Sequence, residues 1–144
     1  MGGFLHMKNV MLKIQGKQTP SGGQEDIIEL ITEGKYYDKD NAQYIVYEES
    51  EISGMEGCTT TLKIQSDKIT MKRFGNATSE LVFEKGKRHT SNYSTPYGNF
   101  KMEILTKELK CSIDENIKGN ILIKYSISLR GLAEGNNELN IEIM

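Results

Sequence analysis

Ile121-Leu122-Ile123-Lys124-Tyr125-Ser126-Ile127-Ser128-Leu129-Arg130 is the stretch on which the fold turns. Ile121, Ile123, Tyr125, Ile127 and Leu129 share one parity, while the other carries Leu122, Lys124, Ser126, Ser128 and Arg130. A period of two predicts an extended strand with one face in a core and the other mostly in water. Applied outward, the same test places strands at about 9–18, 26–37, 43–50, 58–66, 68–74, 79–85, 87–94, 99–106, 108–114, 120–130 and 137–143. Composition agrees: 29 of the 144 residues are β-branched and only three are alanine, a bias that favours pleated surfaces over helices.

The run Glu25 to Glu33 can be drawn as an amphipathic helix with Ile27, Ile28 and Ile31 on one face. Its β-branched content and the continuation Gly34-Lys35-Tyr36-Tyr37 favour a strand instead. The breaks are short and rich in turn chemistry: Asp38-Lys39-Asp40-Asn41, Ser66-Asp67, Gly75-Asn76, Lys85-Gly86, and Asn116 to Gly119. Thr95-Pro96-Tyr97-Gly98 fits a type I turn. Two longer breaks run from Thr19 to Gln24 and from Glu51 to Gly57. Sequence neighbours joined by such turns pair as hairpins, and a meander of hairpins leaves exposed edges unless it closes. The expectation is therefore all-β: a single antiparallel meander β-barrel of about 8–10 strands.

Lys plus Arg is 18 and Asp plus Glu is 20, so there is no basic excess to neutralise phosphates and nucleic acid is excluded as a partner. Apolar runs stop at triplets such as Val10-Met11-Leu12, far short of the roughly 20 residues of a membrane helix. Residues 1–13 lack an uninterrupted apolar core, which predicts a cytoplasmic protein without a secretory signal. Met7-Lys8-Asn9 reads as an alternative start, so residues 1–6 are set aside as an N-terminal extension or tag remnant and 7–144 as one domain. Cys58 and Cys111 lack the spacing of a zinc or redox pair and read as reduced thiols.

The segments Glu33-Gly34-Lys35-Tyr36-Tyr37, Tyr47-Glu48-Glu49-Ser50-Glu51, Gly54-Met55-Glu56-Gly57, Thr59-Thr60-Thr61-Leu62-Lys63-Ile64, Gly86-Lys87-Arg88-His89-Thr90-Ser91 and Thr95-Pro96-Tyr97-Gly98 follow one another in this chain. In this order the chain resembles the YwiB-like family of small bacterial proteins, over roughly Lys8 to Met144. The resemblance implies a calycin-like, that is lipocalin-like, barrel from low-GC Gram-positive bacteria (Firmicutes), with no established function and no catalytic residues. At the level of fold, it also implies a cavity for a small apolar ligand.

Parity sends several polar groups toward the expected interior. Arg73 shares a face with Ile69 and Met71; Glu48 shares one with Tyr44 and Val46; His89, Ser91 and Tyr93 share a third. An inward arginine needs a partner, and Glu48 or Glu33 is the expected one. Two readings stand side by side: a polar plug closing one end of the barrel, or a group that orients a bound ligand. His89 with Ser91 and Glu48 also invites a hydrolase reading, but Ser91 lies in a strand, without the sharp turn that presents a nucleophile.

Glu48, Glu49, Glu51 and Glu56 gather four acids beside the Gly54-x-x-Gly57 loop. They lack the oxygen pattern of a calcium loop and read as a solvated rim facing Lys85, Lys87 and Arg88. The leading expectation is a small-molecule-binding barrel with Arg73, His89, Tyr93 and Glu48 at one end of an apolar cavity, taking an apolar or amphipathic ligand, with no metal and no cofactor. The alternatives are a protein-interaction module using the rim or strand edges, as monomer or homodimer, and, third, a small enzyme using His89.

Overall fold

A computed structural model describes residues 7–20, 23–50, 57–129 and 133–144. Ten strands follow in order: β1 Lys8–Pro20, β2 Asp26–Lys39, β3 Ala42–Glu48, β4 Thr59–Ile64, β5 Lys68–Phe74, β6 Thr78–Glu84, β7 Arg88–Thr95, β8 Gly98–Ile113, β9 Gly119–Leu129 and β10 Ala133–Ile143. Each pairs antiparallel with its sequence neighbours, and β1 pairs with β10 to close the barrel, Leu12 opposite Ile143 and Ile14 opposite Ile141. The expected meander is thus observed, and the ambiguous Glu25 to Glu33 run is strand from Asp26 onward.

Asp40 and Asn41 join β2 to β3 with φ of 50° and 63°, the doubly positive pair that gives a two-residue hairpin the twist of its strands. Pro20, Glu48, Phe74, Gly98 and Leu129 mark one end of the barrel, the rim. The turns at Asp40-Asn41, Ser66-Asp67, Gly86 and Asn116 mark the other, the base. Residues 1–6, Glu51 and the Gly54-Met55-Glu56 part of the acidic loop lie outside the described residues.

Two departures from the alternation pattern have physical causes. The stretches expected at 99–106 and 108–114 form one strand, β8, paired with β9 throughout, with a register shift between Thr106 and Glu108. The inward parity runs Met102, Ile104, Thr106 before the shift and Leu109, Cys111, Ile113 after it, with Cys111 exposed toward the base. One extra residue at Lys107 flips the parity, which on sequence alone looks like the end of a strand. The second departure is at β6 and β7, where only Thr78 with Ser94 and Ser79 with Tyr93 are paired. Beyond them the strands diverge and leave a seam in the wall.

The core fills the middle and base. Leu12, Ile45, Leu62, Ile69, Met71, Phe83, Ile104, Ile121, Ile123 and Ile141 are fully buried and come from all strands but β2 and β7. At Gly34 on β2 an added Cβ would lie 2.6 Å from Leu12 Cδ1 and 3.0 Å from the Val46 carbonyl oxygen, so the missing side chain is what lets Leu12 cross the barrel there. Near the base the interior ends in a polar set: Tyr36 donates to Asp38 Oδ1 at 2.8 Å and Gln43 Nε2 donates to the Tyr36 hydroxyl at 2.7 Å. Burial, with the Asp38 bond, raises the pKa of Tyr36.

Candidate functional site

Toward the rim the interior turns polar and hollow. β4, β5 and β6 align Thr60 with Arg73 and Arg73 with Ser79, all on the inward parity of Leu62, Met71 and Leu81. Arg73 Nε donates to Thr60 Oγ1 at 3.4 Å, and the Thr60 hydroxyl donates to Glu49 Oε1 at 3.2 Å. Tyr47 completes the chain. Burial first, then the Glu49 carboxylate, push its phenol far above the usual tyrosine value, against the pull of Arg73. Thr60 is 0% exposed, Tyr47 3% and Glu49 9%, so the guanidinium and the carboxylate face each other through one buried hydroxyl.

Glu49 occupies the role expected of Glu48. Glu48 is exposed, as are Tyr44 and Val46 in part, while Ile45 and Tyr47 are the buried positions of β3. Tyr44-Ile45-Val46-Tyr47 is apolar at both parities, so alternation within it does not say which face turns inward; Tyr37 stacking on Tyr44 at 4.7 Å takes up the outer face. Glu33, the other expected partner, is exposed as well.

Around Arg73 lies a cavity of about 390 Å³ lined by Ser79, Leu81, Tyr93, Met102, Tyr125 and Ile127 among others. A smaller space of about 110 Å³ adjoins Arg73, Tyr47, Glu49, Tyr125 and Asn137. The larger volume lies within the range of roughly 300–1,000 Å³ typical of small-molecule sites. Tyr125 tilts against Phe83, ring centroids 4.8 Å apart, and is hydrogen-bonded to Asn137; burial raises its pKa while the Arg73 charge opposes the rise. Tyr93, expected at the site, lines the cavity.

His89 does not reach this cavity. Its Nε2 lies 3.0 Å from Glu84 Oε1, and Glu84 Oε2 takes Lys87 Nζ at 3.0 Å. These bonds, Lys87 first and His89 second, hold the Glu84 carboxyl below the usual glutamate value. His89 therefore tethers β7 to β6 across the seam. Ser91 Oγ, two residues on, is buried without a hydrogen-bond partner, so among the described residues no base is positioned on it. Of the cations expected opposite the acidic rim, Lys87 pairs with Glu84 and Arg88 with Glu103, and not with the described rim acids Glu48 or Glu49. Among the described residues no group of three or more His, Cys, Asp or Glu is arranged to hold a metal ion.

Thr60, Ser79, Tyr125 and Asn137 were not singled out from the sequence. For the first three the signal was present, since Leu62, Leu81 and Ile123 set their parity; Asn137 becomes visible only through its register with Tyr125.

A closed antiparallel meander, packed from its middle to its base and hollow around a half-buried arginine toward its rim, is an interior-cavity β-barrel. The chain belongs to the family described as a domain of unknown function, DUF1934, which matches residues 12–141. It is similar to the uncharacterized beta-barrel protein YwiB of Bacillus subtilis (strain 168), 27% identical over 124 residues, which is 85% of this chain and 79% of that protein. The crystal structure of the YwiB protein from Bacillus subtilis superimposes with a TM-score of 0.82 at 23% identity, covering 97% of this chain and 95% of that one. The structural likeness establishes the shared barrel fold.

Proposed function

We propose that this protein binds a small amphipathic molecule inside the barrel, in the cavity bounded by Arg73, Tyr93 and Tyr125 on its polar side and by Leu81, Met102, Ile127 and Leu129 on its apolar side. The supporting observation is the cavity itself: about 390 Å³ of space in a barrel whose other half is filled by its own side chains. Leaving such a volume between apolar residues forfeits packing, so a fold that keeps it beside a charged group is better explained by an occupant than by stability.

Methyl NMR with decanol as the probe tests the reading. Saturable shifts confined to the methyls of Leu81, Met102, Ile127 and Leu129, with Leu62 and Ile69 unmoved, support it. Absence of saturable shifts with decanol and with decanoate alike overturns it. Docking through strand edges draws less support, because the barrel closes and, among the described residues, strand edges are left unpaired only along the β6–β7 seam. The exposed Ile27 and Ile31 on the outer face of β2 are interleaved with the ion pairs Lys13–Glu29 and Lys17–Glu25.

A further inference from the structure

We infer that the head group this cavity selects is a carboxylate, received by the Arg73 guanidinium. The inference rests on the interior-binding reading and deepens it by assigning the ligand's charge. Arg73 borders both the larger and the smaller space, whereas Glu49 borders only the smaller one. The one described acid that lines the larger cavity is Glu134, an exposed residue at the start of β10. A molecule in the larger space therefore meets a positive group on its inner wall, and the countercharge lies behind Thr60.

The link to Glu49 leaves the arginine suited to a second acceptor. Only Nε makes the bond to Thr60, and that bond is long at 3.4 Å; the terminal nitrogens of a guanidinium carry four further N–H donors in a planar fork that matches a carboxylate. A direct carboxylate–guanidinium fork with Glu49 would have used that geometry up; the hydroxyl relay does not. The neighbouring groups are also donors. Ser79 and Tyr93 offer hydroxyls, and Gln18 and Asn137 offer amides, each able to donate to an oxyanion.

The apolar wall of Leu81, Met102, Ile127 and Leu129 lies on β6, β8 and β9. That division of the lining fits a single molecule with an anionic head and a hydrocarbon body. A cationic head would be repelled by Arg73, and a neutral head would leave the guanidinium's charge without an added partner in a space partly removed from water.

Calorimetric titration with decanoate, decanol and decyltrimethylammonium at neutral pH separates the possibilities. The expected result is decanoate binding about tenfold or more tighter than decanol, since hydrogen bonds to charged groups outweigh neutral ones. The Arg73→Met substitution should remove that preference while decanol binding persists. Because Arg73→Met alone strands Glu49 in the interior, the double variant Arg73→Met with Glu49→Gln provides the same test without a buried unpaired charge. Equal binding of decanol and decanoate by the unaltered protein overturns the carboxylate assignment but leaves interior binding intact. So does a decanoate preference that survives in the double variant, and so does tighter binding of decyltrimethylammonium. Failure of all three probes to bind overturns both readings.

Discussion

Replacing Glu49 by leucine, with Glu48→Leu as its control one residue away, tests whether β3 is phased and its network built as described. Glu49 is 9% exposed and accepts from Thr60 at 3.2 Å, and it also holds the Tyr47 hydroxyl. Leucine removes the acceptor for two buried hydroxyls and the countercharge of Arg73. A buried donor left without its partner costs about 1–3 kcal/mol. Removing one member of a fully buried charge pair costs about 3–5 kcal/mol. Arg73 is only half-buried and linked through Thr60, so solvent screens part of the second effect. Taken together, Glu49→Leu should destabilise by about 3–4 kcal/mol, of which Glu49→Gln, keeping an acceptor but not the charge, should retain about 1–2.

For a chain of 144 residues, each kcal/mol moves the midpoint by roughly 3 °C, so Glu49→Leu should lower Tm by about 10 °C. The exposed Glu48→Leu should stay within about 0.5 kcal/mol of the unaltered protein. Urea unfolding followed by tyrosine fluorescence, checked by a thermal scan, measures all three. A Glu48→Leu loss equal to or larger than that of Glu49→Leu would refute the assigned phase of β3 and the Arg73–Thr60–Glu49–Tyr47 chain with it.

Gly34→Ala places a methyl 2.6 Å from Leu12 Cδ1 and 3.0 Å from a backbone oxygen; overpacking of this kind should cost about 1–3 kcal/mol in chemical denaturation, and a neutral result would mean Leu12 does not lie across β2. The Glu84 carboxyl should titrate below the usual glutamate range by carbon NMR, because Lys87 and His89 donate to it. With the folded value lowered, its contribution to stability is present above the unfolded pKa and is lost as pH falls through the folded one. His89→Ala or Lys87→Ala should move the titration upward, and an ordinary Glu84 titration in the unaltered protein would contradict the tether. Amide hydrogen exchange should find the seam-facing amides of residues 80–84 and 88–92 faster than those of β4, which is paired along its length on both sides. Equal protection would show the seam to be closed by bonds other than ladder pairs.

Much of the site was legible strand by strand. Ile69 and Met71 place Arg73 inside, and Leu62 with Ile64 places Thr60 beside it, because one parity of each strand is apolar and the other is polar. Legibility failed where both parities are apolar. In Tyr44-Ile45-Val46-Tyr47 either phase buries two large side chains, so the choice between Glu48 and Glu49 passes to the register with β2 and β4, where Ile45 faces Tyr36 and Leu62. It failed again for His89, whose parity is inward as read but whose strand has left β6 at that point, so the imidazole meets Glu84 instead of the cavity.

The sequence by itself determined that the chain is a meander of antiparallel strands with one buried face, since β-branched alternation and two- to five-residue turns are local properties. It determined too that an arginine and several tyrosines share that face. Tertiary structure alone decided that Lys107 is a bulge instead of a break, that β6 and β7 part below their rim ends, and that the interior is solid toward the base and hollow around Arg73. Each of these is set by how strands stagger and curve against one another around a closed barrel. The volume left inside is a difference between the whole wall and all its side chains, and no single strand carries it.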